Sequence, residues 1–200
     1  MLPDFDDEFA GNSEYITLYR QLKLQVVPAL LPSQAKNWKR PALNTWKQHT
    51  HELADEETFN EWIRSRGNPE NGNLGIITGL CSGGVFIVDL DTYKDANAQV
   101  WWDGICADHN CGIMLEAPTQ RTGGGGLQML FRAPRGWTPP TIKTSIGVDI
   151  RGQSGFAVIA PSMHESGKRY EWVDGLEPWN IEIPDAPQWL CDELDALAQK

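Results

Sequence analysis

Apolar and polar positions alternate in short blocks that predict a mixture of helices and strands. Ser13 can cap a helix over residues 14–22, and residues 26–32 read as a strand broken by Pro28 and Pro32. Residues 36–50 are polar and basic, carry Trp38 and Trp46, and predict a loop. Phe59 and Trp62, three apart, give residues 55–64 an apolar helical face. Asn68-Pro69 and Asn71-Gly72 then mark a turn. Residues 74–78 and 85–91 are apolar runs of strand length. The Ser82-Gly83-Gly84 turn between them predicts a hairpin. A helix over residues 95–107 is expected to bury parts of Val100, Trp101 and Ile105.

Strands dominate the remainder, at residues 113–115, 127–131, 146–151, 156–159 and 169–172. Asp185 with Pro187 predicts a final helix ending near Ala198. No internal repeat or low-complexity segment interrupts this order. Interspersed helices, with hairpins in the second half, predict an α+β fold rather than a regular βαβ ladder. Two hundred residues with 40% apolar content suffice for one cored domain, or one large and one small lobe.

The charge balance narrows the function. Net charge is −10, with acids concentrated at residues 1–8 and 52–61 and a basic stretch at 36–47 between them. A broad basic surface for sequence-independent duplex binding is therefore not expected, while local nucleotide or nucleic-acid contacts through the basic stretch are. No run of 18 apolar residues predicts a membrane span, and the acidic first residues contain no apolar signal segment. Cys81, Cys106, Cys111 and Cys191 form no dense disulfide framework, so a cytoplasmic setting is expected.

The strand at residues 85–91 ends in Asp89-Leu90-Asp91. Side chains two apart on a strand face one side, so the two carboxylates converge and repel unless a positive group neutralises them. Mg²⁺ or Mn²⁺ fits such oxygen ligands; a solvated loop or turn cap is the plain alternative. Next comes Arg121-Thr122 and four glycines, Gly123 to Gly126, followed by Gln128. Backbone N–H groups at Gly125 and Gly126 could hold phosphate oxygens, although the spacing is not that of a Walker loop; a flexible turn is the alternative. Asp149 lies inside an apolar strand and shares a face with Arg151. The two could form a local ion pair, or Asp149 could join Asp89 and Asp91 as a third metal ligand. His164, in a turn after another strand, could bind phosphate or cap the turn. Cys106, His109 and Cys111 offer three metal-type ligands where structural zinc takes four. Cys191 or His51 could complete the set, and a helix-end turn is the alternative. No nucleophile elbow or Ser-His-Asp order is present.

Lined up, these segments resemble the bifunctional DNA primase/polymerase (prim-pol) domain of the archaeo-eukaryotic primase superfamily. The resemblance rests on Asn73-Leu74-Gly75-Ile76-Ile77-Thr78-Gly79, the Asp89-x-Asp91 strand, Gly-Gly-x-Gln128-x-x-Phe131 and Val148-Asp149-Ile150-Arg151-Gly152. It extends through Ala160-Pro161-Ser162-x-His164-x-x-Gly167-x-x-Tyr170-x-Trp172 and spans about residues 36 to 172. Lys39-Arg40-Pro41 with Trp46 is similar to the family's N-terminal element.

The resemblance implies a modified RRM-like antiparallel sheet, a small N-terminal α/β unit, and an active-site cleft between them. It divides a single domain, 1–200, into an N-terminal unit at about 1–72, a catalytic sheet at about 73–175 and a C-terminal helix at about 185–198. The chain could be the front of a longer replication protein. Asp89, Asp91 and Asp149 would be the catalytic carboxylates on two Mg²⁺ or Mn²⁺ ions. Gln128, Arg151, His164, Ser162, Arg121, Gly125 and Gly126 would surround the incoming nucleotide. Lys39, Arg40 and Trp46 would meet a single-stranded DNA template, and Trp38 is a second candidate for base stacking. A fused or separate helicase is an expected partner, in a bacterial, phage or plasmid setting. One departure stands out: the family's usual histidine is Gln128 here, which can donate through its amide but carries no charge. Arg121 or Lys143 could supply that charge. The alternative is a degenerate nucleotide- or strand-binding module. A nucleotide-sugar glycosyltransferase would need a longer chain and a Rossmann-like first half.

Overall fold

A computed structural model describes residues 12–65, 72–92, 96–109 and 116–199. In chain order the elements are α1 (Asn12–Gln21), β1 (Gln25–Ala29), α2 (Glu56–Ser65), β2 (Asn73–Ile77), β3 (Val85–Leu90), α3 (Ala96–Asp108), β4 (Thr119–Arg121), β5 (Leu127–Arg132), β6 (Ile142–Lys143), β7 (Val148–Arg151), β8 (Phe156–Ile159), β9 (Glu171–Trp172) and α4 (Gln188–Ala198). The strands form two antiparallel sheets, one ordered β1-β2-β8 and the other β6-β7-β3-β5-β4-β9. The fold is thus a mixture of helices and antiparallel sheets.

Alternation along β3 divides the core. Val85 and Ile87 join Leu130, the β1 and β2 side chains, and Ile16, Tyr19, Phe59 and Trp62 of α1 and α2. Phe86, Val88 and Leu90 join Met129, Phe131 and Ile150 under Trp102 and Ile105 of α3 and Leu190, Leu194 and Leu197 of α4. The centre of the six-stranded sheet, at β3 and β5, is therefore packed on both faces. Each such fully buried side chain is worth about 1.5–3 kcal/mol of transfer free energy.

The hairpin expected from residues 74–78 and 85–91 does not form. β2 pairs with β1 and β8, while β3 pairs with β5 and β7, so the two strands are central to different sheets. Both are buried along their whole length, which suits the middle of each sheet. The chain reverses here through a single antiparallel bridge, Gly79 to Val85, and the two strands then diverge into separate sheets. Gly79 (φ 102°) and Gly83 (φ 63°) bracket a 3-10 turn at Leu80–Ser82. Ser82 Oγ donates to Ile77 O at 2.6 Å and accepts from Gln25 N at 2.9 Å, tying the turn to β1.

Smaller departures have local causes. Ser13 lies inside α1 rather than capping it. In α3 the buried side chains are Ala98, Trp102 and Ile105; Ile105 is buried and Trp101 partly buried as expected, while Val100 is 67% exposed. β7 starts at Val148 because Gly147 turns the chain at φ 77°. α4 starts at Gln188, while Asp185 bridges Arg132. The short β4 and β6 were not foreseen, and the expected strand at 113–115 lies outside the described residues. Among the described residues, no helix is long and apolar enough to cross a membrane.

Candidate active site

The pairing registers place Lys143, Asp149, Asp89, Gln128, Gln120 and Trp172 directly opposite one another, one from each strand of the six-stranded sheet. Residues paired in this way point to the same face. That face also carries Ile87 and Leu130, which pack into the first core, so the polar row begins where the apolar packing ends. Asp91, Asp89, Gln128, Asp149, Lys143 and Arg151 line a cavity of about 320 Å³. Its other walls are Lys36, Asn37, Trp38 and Lys39 from the loop after β1, Phe156, Ala157 and Val158 of β8, and Thr122, Glu165 and Tyr170. Four carboxylates and four cationic side chains thus share one small space.

Arg151 sits two residues beyond Asp149 and reaches both buried acids with one nitrogen. Its Nη2 lies 2.9 Å from Asp149 Oδ2 and 3.2 Å from Asp89 Oδ2. Asp149 Oδ1 accepts from Thr144 N at 3.3 Å. Asp89 Oδ1 is buried and has no hydrogen-bond partner of standard geometry. Burial raises the Asp89 pKa; Arg151 opposes this, the Asp91 charge adds to it, and hydrogen bonding from Gln128 and Arg151 lowers it. Desolvation outweighs the favourable contacts, so the net shift is upward.

Among the described residues, no group of three His, Cys, Asp or Glu side chains is gathered closely enough to hold one ion. Arg151 occupies the space between Asp89 and Asp149 that a shared cation would need. The donor chemistry nonetheless suits a hard divalent ion: Asp89 offers an unbonded buried oxygen, and Asp91 lines the same cavity. Cys106 and His109 gather no third ligand among the described residues, and Cys111 lies outside them. The His109 ring stacks on Trp189 at 4.6 Å.

The glycine run forms a tight turn at the cavity edge. Gly125 N and Gly126 N donate to Thr122 O and Thr122 Oγ1, so both are engaged within the turn. The close approaches the glycines permit here are to the protein itself. A Cβ on Gly126 would lie 2.5 Å from Leu90 O, and one on Gly123 would lie 2.3 Å from the His164 Cβ. Ser166 Oγ donates to Gly123 O at 2.7 Å and completes the join. His164 Nδ1 accepts from Ser166 N at 3.1 Å, which puts the proton of the neutral ring on Nε2. The ring stands edge-on to Trp38, with centroids 5.4 Å apart.

Asp89, Asp91, Asp149, Gln128, Arg151 and Lys39 are therefore brought to one cavity, with Lys143 beside them. Arg40, Trp46, Ser162, Arg121, Gly125, Gly126 and His164 do not line it. Ser162 instead clamps β2, accepting from Leu74 N and donating to Leu74 O. Arg121 points to the opposite face from Gln120 and borders a separate apolar cavity with Trp102 and Met129. Trp46 packs against the first core, and Trp38 is buried with Tyr170, with Lys39 Nζ 5.3 Å from its ring centroid. Sequence reasoning missed Glu165 and Gln120, and it held Lys36 only as the start of the basic stretch and Tyr170 only as part of the last motif. Lys36 had a usable signal in its place three residues before Lys39; Gln120 had none, because a strand of three residues shows no period.

A family model described as the bifunctional DNA primase/polymerase, N-terminal domain matches residues 16–189. No curated protein matches the chain. The matched segment holds every strand of both sheets and the whole wall of the carboxylate cavity. The chain belongs to the bifunctional DNA primase/polymerase N-terminal family.

Proposed function

We propose that this domain is a template-directed nucleotidyltransferase that makes or extends primers, with its chemistry at the Asp89, Asp91 and Asp149 carboxylates. The observation that carries the reading is the single cross-strand row that presents Asp149, Asp89 and Gln128 to a cavity walled by Lys36, Lys39 and Lys143. Carboxylates opposite cations suit a substrate that is itself a polyanion bound with metal. On this reading the six-stranded sheet is the modified RRM-like element, and the cavity is the cleft against the N-terminal unit.

Asp89, Asp91 and Asp149 would hold Mg²⁺ or Mn²⁺, which supplies a lowered pKa for the attacking 3′-hydroxyl and neutralises charge on the leaving pyrophosphate. Lys36, Lys39 and Lys143 bind phosphate oxygens of the incoming nucleotide from the facing walls. Arg151 presents a guanidinium that matches phosphate in two-point geometry. Gln128 holds Asp89 rather than the nucleotide. Single-stranded template runs over Lys39 and the exposed Arg40, and a helicase, fused or separate, supplies it. His164, fixed by Ser166 and Trp38, buttresses the glycine turn beneath the nucleotide.

Incorporation of labelled dNTP or rNTP on primed and unprimed single-stranded templates, with Mg²⁺ or Mn²⁺ and with EDTA, tests this reading. Metal-dependent product from the wild type, abolished in Asp89→Ala, is the expected result. Nucleotide binding without incorporation would assign the domain to a binding module instead.

A further inference from the structure

Gln120 is wholly buried, and no step above uses it. Its amide makes three hydrogen bonds, and two of them fix which end is which. Ala160 N donates to its Oε1 at 2.9 Å, and its Nε2 donates to Val158 O at 3.1 Å. A backbone N–H can only donate and a carbonyl can only accept, so the orientation of Gln120 is settled. Its Nε2 also donates to Gln128 Oε1 at 2.6 Å. Gln128 is thereby oriented in turn: its oxygen is taken, and its amide nitrogen is left on the side of Asp89, directly opposite in register. A pair of amides therefore links the end of β8 in one sheet to the residue directly opposite Asp89 in the other.

We propose that Gln120 is a positioning residue: by locking the Gln128 amide with its nitrogen toward Asp89, it sets the metal affinity of that carboxylate without touching metal or nucleotide. The proposal rests on the reading of Asp89 as a metal ligand. Without Gln120 the Gln128 amide is free to flip and set its oxygen against the carboxylate, an acceptor facing an acceptor. Groups that orient a ligand from behind typically change metal affinity by about 10–100-fold. The arrangement also gives glutamine a use here: with its oxygen taken by Gln120, its nitrogen is turned to Asp89, and the phosphate charge is left to the surrounding lysines.

Mn²⁺ titration of the nucleotide-free full chain by electron paramagnetic resonance tests the proposal, with Gln120→Met, Gln128→Met and the double variant. About tenfold weaker binding is expected in each single variant. The double variant should bind no worse than Gln128→Met, because one residue acts through the other. Unchanged affinity in a folded Gln120→Met, or additive losses in the double variant, overturns the proposal and leaves the metal reading intact. No Mn²⁺ binding by the wild type overturns both. If Gln120→Met does not fold, side-chain amide resonances of the wild type decide the matter. Joint shifts of the Gln120 and Gln128 amides on Mg²⁺ addition support the relay, and a Gln128 shift without one at Gln120, or no shift at all, overturns it.

Discussion

Asp89 and Asp149 stand directly opposite each other on β3 and β7 and share one guanidinium nitrogen, Arg151 Nη2, at 3.2 and 2.9 Å. Two buried acids held by one cation form an arrangement that a metal ion can take over. On the proposed reading such an ion would free Arg151 for an anionic substrate; the Arg151 Nε is buried without a hydrogen bond.

Arg151→Ala is accordingly expected to destabilise the protein in EDTA by about 2 kcal/mol, since removing one partner strands buried charge. That figure sits below the usual range for buried pairs because Arg151 is 20% exposed. Added Mn²⁺ should restore most of the melting temperature. Thermal unfolding with and without Mn²⁺ checks this, and a loss that Mn²⁺ does not recover would speak against a metal replacing the guanidinium.

Burial raises the Asp89 pKa above its ordinary 3.8, so the folded state binds this proton more tightly than the unfolded chain. The associated stability is present below the unfolded pKa and is lost as pH rises through the folded one. At pH 7 the ionised carboxylate is a net burden on the metal-free fold. Asp89→Asn should therefore melt higher than wild type at pH 7 in EDTA, with the difference shrinking toward about pH 4. Equal melting temperatures across that range would contradict the burial argument.

Two glycines should respond oppositely to alanine. Gly123→Ala places a Cβ 2.3 Å from the His164 Cβ and 2.7 Å from Lys168 O, so the glycine turn must part from the His164 turn. A loss of about 2 kcal/mol is expected from such overpacking. Gly104 lies within α3 with nothing within 4 Å of an added Cβ. Gly104→Ala should stabilise by about 0.5–1 kcal/mol through helix propensity. Chemical denaturation of both variants measures the contrast.

The positions of the carboxylates were legible in the sequence through strand alternation: Asp89 and Asp91 end an apolar run, and Asp149 lies between Val148 and Ile150. The hairpin misreading came from the same simplicity. Two apolar strands joined by glycines look alike whether they pair with each other or with separate sheets, and the partners that decide it, β1 and β8 for one and β5 and β7 for the other, are distant in sequence. Gln128 was legible as an exception to the family pattern, but its hydrogen-bond partner was not. That contact depends on Gln120, itself held by Val158 and the Ala160 backbone, residues up to 40 positions apart that no local pattern joins. Likewise Arg121 and the glycines looked ligand-facing by composition, whereas their backbone donors and neighbours are supplied from within the fold.

The most direct test of the central claim is primer synthesis on single-stranded DNA with Mn²⁺ by wild type and Asp91→Asn. Asp91 borders the cavity without joining the Arg151 ion pairs, so its replacement leaves that packing in place. Metal-dependent product from the wild type and its loss in a variant of unchanged melting temperature is the expected result. Equal synthesis by both proteins would contradict the assignment of these carboxylates to catalysis.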